Sequence, residues 1–136
     1  MLIRKLSPSE WNEAYPLISQ LRDISLCQFR ESVKIQSLSG YELIGAFIDD
    51  RLTGLMGWRP VHTLARGYHL HIDDLVVDKH ARGSGIGKAM LDFATRESAG
   101  REMNFIFLDA RKEAIPFYEN NDFIFHASPS MKKPLK

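Results

Sequence analysis

The spacing of apolar residues changes period several times along the chain, and each change marks the boundary of an element. Leu2 to Leu6 is a short apolar run that predicts an opening strand. Ser7-Pro8-Ser9-Glu10 then matches a capping box, with Ser7 as N-cap, Pro8 at the first helical position and Glu10 reaching back. Trp11, Tyr15, Ile18 and Leu21 follow at helical spacing, and Pro16 is expected to kink or divide that helix. A second helix is predicted from about Ser25 to Leu38, with Leu26, Phe29, Val33 and Gln36 on one side and Gly40 as its stop.

Strand patterns come next. Leu43 to Ile48 and Leu52 to Trp58 flank Asp49-Asp50-Arg51, a hairpin signal, and Pro60 to Arg66 reads as a loop. Tyr68 to Val77 is a longer strand whose second half is apolar on both faces, as expected near the centre of a sheet. The following helix carries Ile86, Met90, Phe93 and Ala94 on one stripe and ends near Gly100. Phe105 to Leu108 predicts a buried strand, Glu113 to Glu119 a short helix, and Phe123 to Phe125 a last strand or hairpin. The order is β-α-α-β-β-β-α-β-α-β, with one more strand if the last segment is a hairpin. It predicts an α/β (mixed α+β) fold with a mostly antiparallel mixed sheet of about six to seven strands and about four helices on both faces.

Composition narrows the classes of function. At 136 residues the chain is one domain with room for a proper core. Eighteen basic residues against seventeen acidic ones leave a net charge of +1, which points to neither nucleic acid nor an anionic membrane as partner. The basic end, Met131-Lys132-Lys133-Pro134-Leu135-Lys136, reads as a solvated terminus. Cys27 alone makes no internal disulfide, and its apolar surroundings predict a half-buried structural thiol. Met1 to Leu6 is too short for a signal peptide, and no apolar run reaches membrane-spanning length, so a cytoplasmic protein is expected.

The candidate chemistry lies where the long strand ends. Arg82-Gly83-Ser84-Gly85-Ile86-Gly87-Lys88 joins an apolar strand to an amphipathic helix. A helix start presents backbone N–H groups that lack intrahelical partners, and glycines let phosphates approach them without meeting a Cβ. Arg82 and Lys88 add positive charge on either side, so the segment reads as a pyrophosphate site. It is not the dinucleotide fingerprint Gly-x-Gly-x-x-Gly, because its third glycine comes one residue early. Nor is it a P-loop, because Gly87-Lys88 is followed by Ala89 and not by a hydroxyl residue.

This strand and its Arg-Gly-x-Gly-x-Gly turn, followed by Ala114-Ile115-Pro116-Phe117-Tyr118, resemble the two signatures of the GCN5-related N-acetyltransferases (GNAT). The element order is similar as well. The resemblance spans essentially the whole chain as a single N-acetyltransferase domain, residues 1–136, with motif detail in residues 71–125. It implies acetyl-CoA as co-substrate, no metal, and a small-molecule or peptide amine as acceptor. A homodimer is a common arrangement in such a family.

Carried over residue by residue, the resemblance implies the following roles. The pyrophosphate would lie over Gly83, Ser84, Gly85, Ile86, Gly87 and Lys88, with Arg82 adding a contact. The pantetheine arm would pair with the main chain of Leu75, Val76 and Val77, and the N–H near Leu75 would polarise the thioester carbonyl. Tyr118 would give a proton to the departing thiolate. Asp73 stands where several members carry a Glu that takes the amine proton. His69, His71 and Asp73 alternate on one face, which leaves His71 as another candidate base and puts Asp74 on the opposite face. His69 and His71 lack a third ligand for zinc. Arg111 stands where Asn is common and would meet phosphate, and Asp122 replaces a usual Gly. The alternative function is a non-catalytic acyl-CoA-binding regulatory module. Acceptor specificity is expected in the two N-terminal helices and the loop around Pro60 to Arg66. Asp23, Glu31 and Glu42 there favour a cationic amine, while Arg22, Arg30 and Lys34 favour an anion.

Overall fold

A computed structural model describes all 136 residues. The strands are β1 (Leu2–Lys5), β2 (Glu42–Ile48), β3 (Arg51–Thr63), β4 (Gly67–Val77) and β5 (Phe105–Leu108). The α-helices are α1 (Trp11–Ile18), α2 (Leu26–Ser37), α3 (Ile86–Gly100) and α4 (Ile115–Glu119), with short 3-10 turns before α1 and α4. One sheet runs β1-β2-β3-β4-β5, antiparallel except for the parallel pair β4 and β5.

Alternation along the central strands divides the core into two layers. Leu43 and Leu55 face α1 and α2, where they pack with Leu17, Ile18, Phe29 and Val33. Their neighbours Ile44 and Met56 face α3, where they pack with Ile86, Met90, Leu91 and Ala94. The turn between β2 and β3 is made by Asp49 and Asp50, both at positive φ (50° and 62°), the paired left-handed geometry that suits a two-residue hairpin.

Several expectations change. The sheet has five strands, not six or seven, because Phe123 to Phe125 forms none. Three consecutive apolar residues carry no face preference, and only Phe123 packs on the core, against Tyr118. Ile124 and Phe125 are 87% and 74% exposed. Asp122 does take the left-handed turn, at φ 68°. Helix α1 runs unbroken through Pro16, since Pro16 and Asn12, the residue whose carbonyl loses its partner, both face solvent. Strand β3 continues to Thr63 through Pro60. Its pairing with β2 ends at Trp58, so Pro60 occupies an edge position where a missing N–H costs no ladder bond. Only Leu64 to Arg66 turns. Leu26 and Cys27 are exposed on the outer side of α2, whose inward face is Phe29 and Val33. No helix is long and apolar enough to cross a membrane.

Candidate active site

Strand β4 loses its neighbour halfway along. It pairs with β5 only from His69 to Ile72, so Asp73 to Val77 have a bare edge on that side. Pairs in an antiparallel ladder alternate between hydrogen-bonded and not. Asp78 N–H donates to the Thr53 carbonyl at 2.8 Å, which makes that a bonded pair in register with the ladder of β3 and β4. Val76 and Asp74 then bond toward β3, and the N–H and C=O of Leu75 and Val77 point to the bare edge. Arg82 Nε, reaching back to the Val77 carbonyl at 3.3 Å, agrees with that direction.

The loop after β4 is pinned by a residue that sequence reasoning did not single out. Asp78 is 7% exposed and accepts from Gln20 Nε2 at 3.2 Å and from His80 N–H at 3.4 Å, while Gln20 Oε1 accepts from Lys79 N–H at 3.0 Å. The Gln20 bond, with His80 and Arg51 beside it, keeps the Asp78 carboxyl below its usual range. An acid directly after an apolar strand and before a glycine loop was the available signal. Gly83 and Gly85 both hold positive φ (84° and 82°), and a Cβ on either would meet nothing within 4 Å. The loop is therefore shaped by glycine and leaves open space over itself. The first intrahelical bond of α3 runs from Ala89 N–H to the Gly85 carbonyl, so the N–H groups of Ile86, Gly87 and Lys88 are free of helix partners.

A cavity of about 380 Å³ joins these features. Leu75, Val77, Arg82, Gly83, Gly85, Ile86, Gly87, Lys88 and Tyr118 all line it, together with Phe117, which packs on Gly87. Three of the candidates for the cofactor do not. Val76 is buried on the α1/α2 side, Ser84 turns its hydroxyl to the Ala81 carbonyl, and Arg111 donates to the Leu21 carbonyl at 3.0 Å instead of facing the loop. Lys88 contributes with its ammonium paired to Asp92 at 2.9 Å. Burial pushes the Tyr118 phenol above its ordinary value, offset only in part by the charge of Arg111, so it keeps its proton at neutral pH.

A second cavity, about 760 Å³, lies on the opposite face of β4, between that strand, α2 and the loop after α1. The pairings Gly57 with Asp74 and Trp58 with Ile72 leave Asp73 as the extra residue of a β-bulge. The bulge turns Asp73 and Asp74 into the same cavity, which corrects the expectation that they face opposite ways. Asp74 accepts from Tyr41 Oη at 2.6 Å and from Arg22 at 3.0 and 3.1 Å. Asp73 accepts two bonds from Arg59, at 2.7 and 2.9 Å, and His71 Nδ1 stands 3.2 Å from its carboxylate. Burial pushes the Asp73 carboxyl up, but His71 and the Arg59 guanidinium outweigh it and leave the group below the usual carboxylate range. His69 is buried, directs Nδ1 to the Gly67 carbonyl at 3.0 Å and packs edge-on against Phe107.

Comparison with known proteins identifies the family. The model of the acetyltransferase (GNAT) family matches residues 3–123. The chain belongs to that family. It is 32% identical over 135 residues to an uncharacterized N-acetyltransferase of Bacillus subtilis, YhdJ, covering 95% of this chain and 94% of that one. A glucosamine 6-phosphate N-acetyltransferase of Trypanosoma brucei brucei is 38% identical over 56 residues, covering 41% of this chain and 38% of that one. The crystal structure of a Trypanosoma brucei acetyltransferase superposes with a TM-score of 0.80 at 24% identity, covering 98% and 99% of the two chains. This GNAT chain is accordingly an N-acetyltransferase, and its α+β sheet is the fold of those relatives.

Proposed function

We propose that this GNAT protein moves an acetyl group from acetyl-CoA to a primary amine by direct attack within a ternary complex. The observation that carries the reading is the bare edge of β4 running into a glycine turn at the start of α3, with Tyr118 lining the same cavity. That cavity fits the co-substrate: free helix N–H groups and Arg82 would take the pyrophosphate, and Leu75 and Val77 would pair with the pantetheine arm. Acetyl-CoA supplies the thioester that makes the acetyl group transferable. Leu75 N–H polarises the acetyl carbonyl from the sheet edge. Asp73, held ionised by Arg59, draws the ammonium in and takes the proton that must leave before the nitrogen lone pair can attack, and the second N–H proton passes to solvent once the C–N bond has formed. Tyr118 gives its own proton to the sulfur released when the C–S bond breaks. Holding both reactants across one strand edge supplies much of the acceleration.

Replacing Tyr118 by Phe tests the acid role. Turnover falls by about 10²-fold, in the range of a positioned proton donor, while acetyl-CoA affinity by calorimetry stays within about twofold. Unchanged turnover removes Tyr118 from the chemistry. Tight acetyl-CoA binding without turnover on any amine would favour a non-catalytic acyl-CoA-binding module instead.

A further inference from the structure

The larger cavity is where an acceptor would approach the bare edge of β4 from the face opposite the glycine turn, and its lining reports on what fits there. The sequence left both signs of charge available around it; the structure separates them. Arg22 is the only cation lining the cavity, and its charge is matched by Asp74, which takes Nε and Nη2 at 3.1 and 3.0 Å, while Nη2 also donates to the Asp73 carbonyl at 2.9 Å. Arg30 is directed away, donating to Asn12 Oδ1 at 2.8 Å and lying over the Trp11 ring. Lys34 and Glu31 do not line the cavity, and Glu42 belongs to a separate cluster with Trp58, Lys5 and Arg101.

The remaining lining is acidic or neutral. Asp23 stands at the mouth with no hydrogen bond and no ion pair. Gln28 has its carbonyl oxygen occupied by Ser25 N–H at 2.9 Å, which leaves its amide hydrogens for a ligand. Gln36 donates to Ser32 Oγ at 2.9 Å, which leaves its carbonyl oxygen as an acceptor. A phosphate or carboxylate brought here would find one guanidinium, already neutralised by Asp74, against three carboxylates, of which Asp23 alone lacks a cationic partner. A protonated group would meet Asp23 unopposed, and hydroxyls would be matched by the two amides.

We infer that the acceptor is a cationic, hydroxyl- or amine-bearing primary amine that carries neither phosphate nor carboxylate. The inference rests on the acetyltransferase reading and adds the class of acceptor to it. It sets this chain apart from the relative named for glucosamine 6-phosphate, whose likeness covers only 41% of this chain. The cavity holds the charge of the acceptor at Asp23, and the bulge of β4 holds the reacting amine beside Asp73.

The test uses the full chain with acetyl-CoA and matched amines, following thiol release. Glucosamine is set against glucosamine 6-phosphate, and 1,4-diaminobutane against 4-aminobutyrate. In each pair kcat/KM is at least about tenfold higher for the partner without the acidic group, because like charges across a shared site are strongly disfavoured. Asp23→Asn then lowers kcat/KM for 1,4-diaminobutane, whose second amine is the charge held there, about two- to fivefold, the effect of one exposed charge, with acetyl-CoA affinity unchanged. Parity within the pairs, preference for the acidic partner, or no turnover of either cationic amine overturns the inference. Calorimetry with acetyl-CoA is run in parallel. Retained acetyl-CoA binding confines such a failure to the acceptor class, whereas no binding removes the acetyltransferase reading along with it.

Discussion

At the scale of single residues, the acceptor side is organised around the absence of a side chain at Gly57. A Cβ there would stand 1.8 Å from Tyr41 Oη and 2.9 Å from Asp74 Oδ2. Tyr41 is 5% exposed, and burial together with the Asp74 charge pushes its phenol far above its ordinary value, so it remains a donor to Asp74. Gly57→Ala therefore displaces a buried bonded pair and destabilises the protein by about 1–3 kcal/mol, the usual cost of overpacking. The denaturant midpoint measures this, and an unchanged midpoint would show that Tyr41 gives way freely. Little of this was legible in the sequence. Simple alternation put Asp73 and Asp74 on opposite faces, and a bulge is invisible to a period-of-two argument because it inserts one residue without changing composition. Arg22, Arg59 and Tyr41 carried no local signal, since their partners lie across the sheet or beyond it. Tyr118 and the glycines were legible because they sit in a short motif whose chemistry is local.

At the scale of elements, caps and turns were read most surely. At Ser7 and Glu10 the reciprocal half of the capping box forms, Ser7 N–H donating to Glu10 Oε1 at 3.0 Å, and Glu10 also takes two bonds from Arg4, at 2.9 and 2.7 Å. Those Arg4 bonds, with the Ser7 N–H, lower the Glu10 carboxyl from 4.5 to about 2. Because the folded value lies below the unfolded one, this contribution is complete above about pH 4.5 and is lost as pH falls toward about 2. The side chain is close to solvent, so salt screening reduces the effect. Thermal midpoints of the wild type and Glu10→Gln should differ at pH 6 and converge near pH 2. A constant difference across that range would remove Glu10 from the acid sensitivity of the fold. The elements that were misread are those whose fate depends on neighbours. Pro60 sits in a strand because β2 ends at Glu42, opposite Trp58, and Phe123 to Phe125 stays outside the sheet because only its first residue reaches the core.

At the scale of the whole molecule, one sheet opens between two of its strands and leaves a cavity on each face. Strand β4 is continuous with β3 along its length but shares only His69 to Ile72 with β5, and the two cavities lie on opposite faces of the stretch left bare. The sequence showed the strand, the turn and the helix, but not that β5 stops short, because strand pairing is a long-range property. The central claim is that the turn at Gly83 to Lys88 holds the pyrophosphate of acetyl-CoA. The direct measurement is titration calorimetry of acetyl-CoA against the wild type and Gly85→Glu. Gly85 has open space around it, so the variant keeps its fold at a cost of about 1–2 kcal/mol in backbone strain, checked by circular dichroism. Saturable binding to the wild type and its loss in the folded variant are expected. Equal binding to both proteins, or none to the wild type, would contradict the central claim.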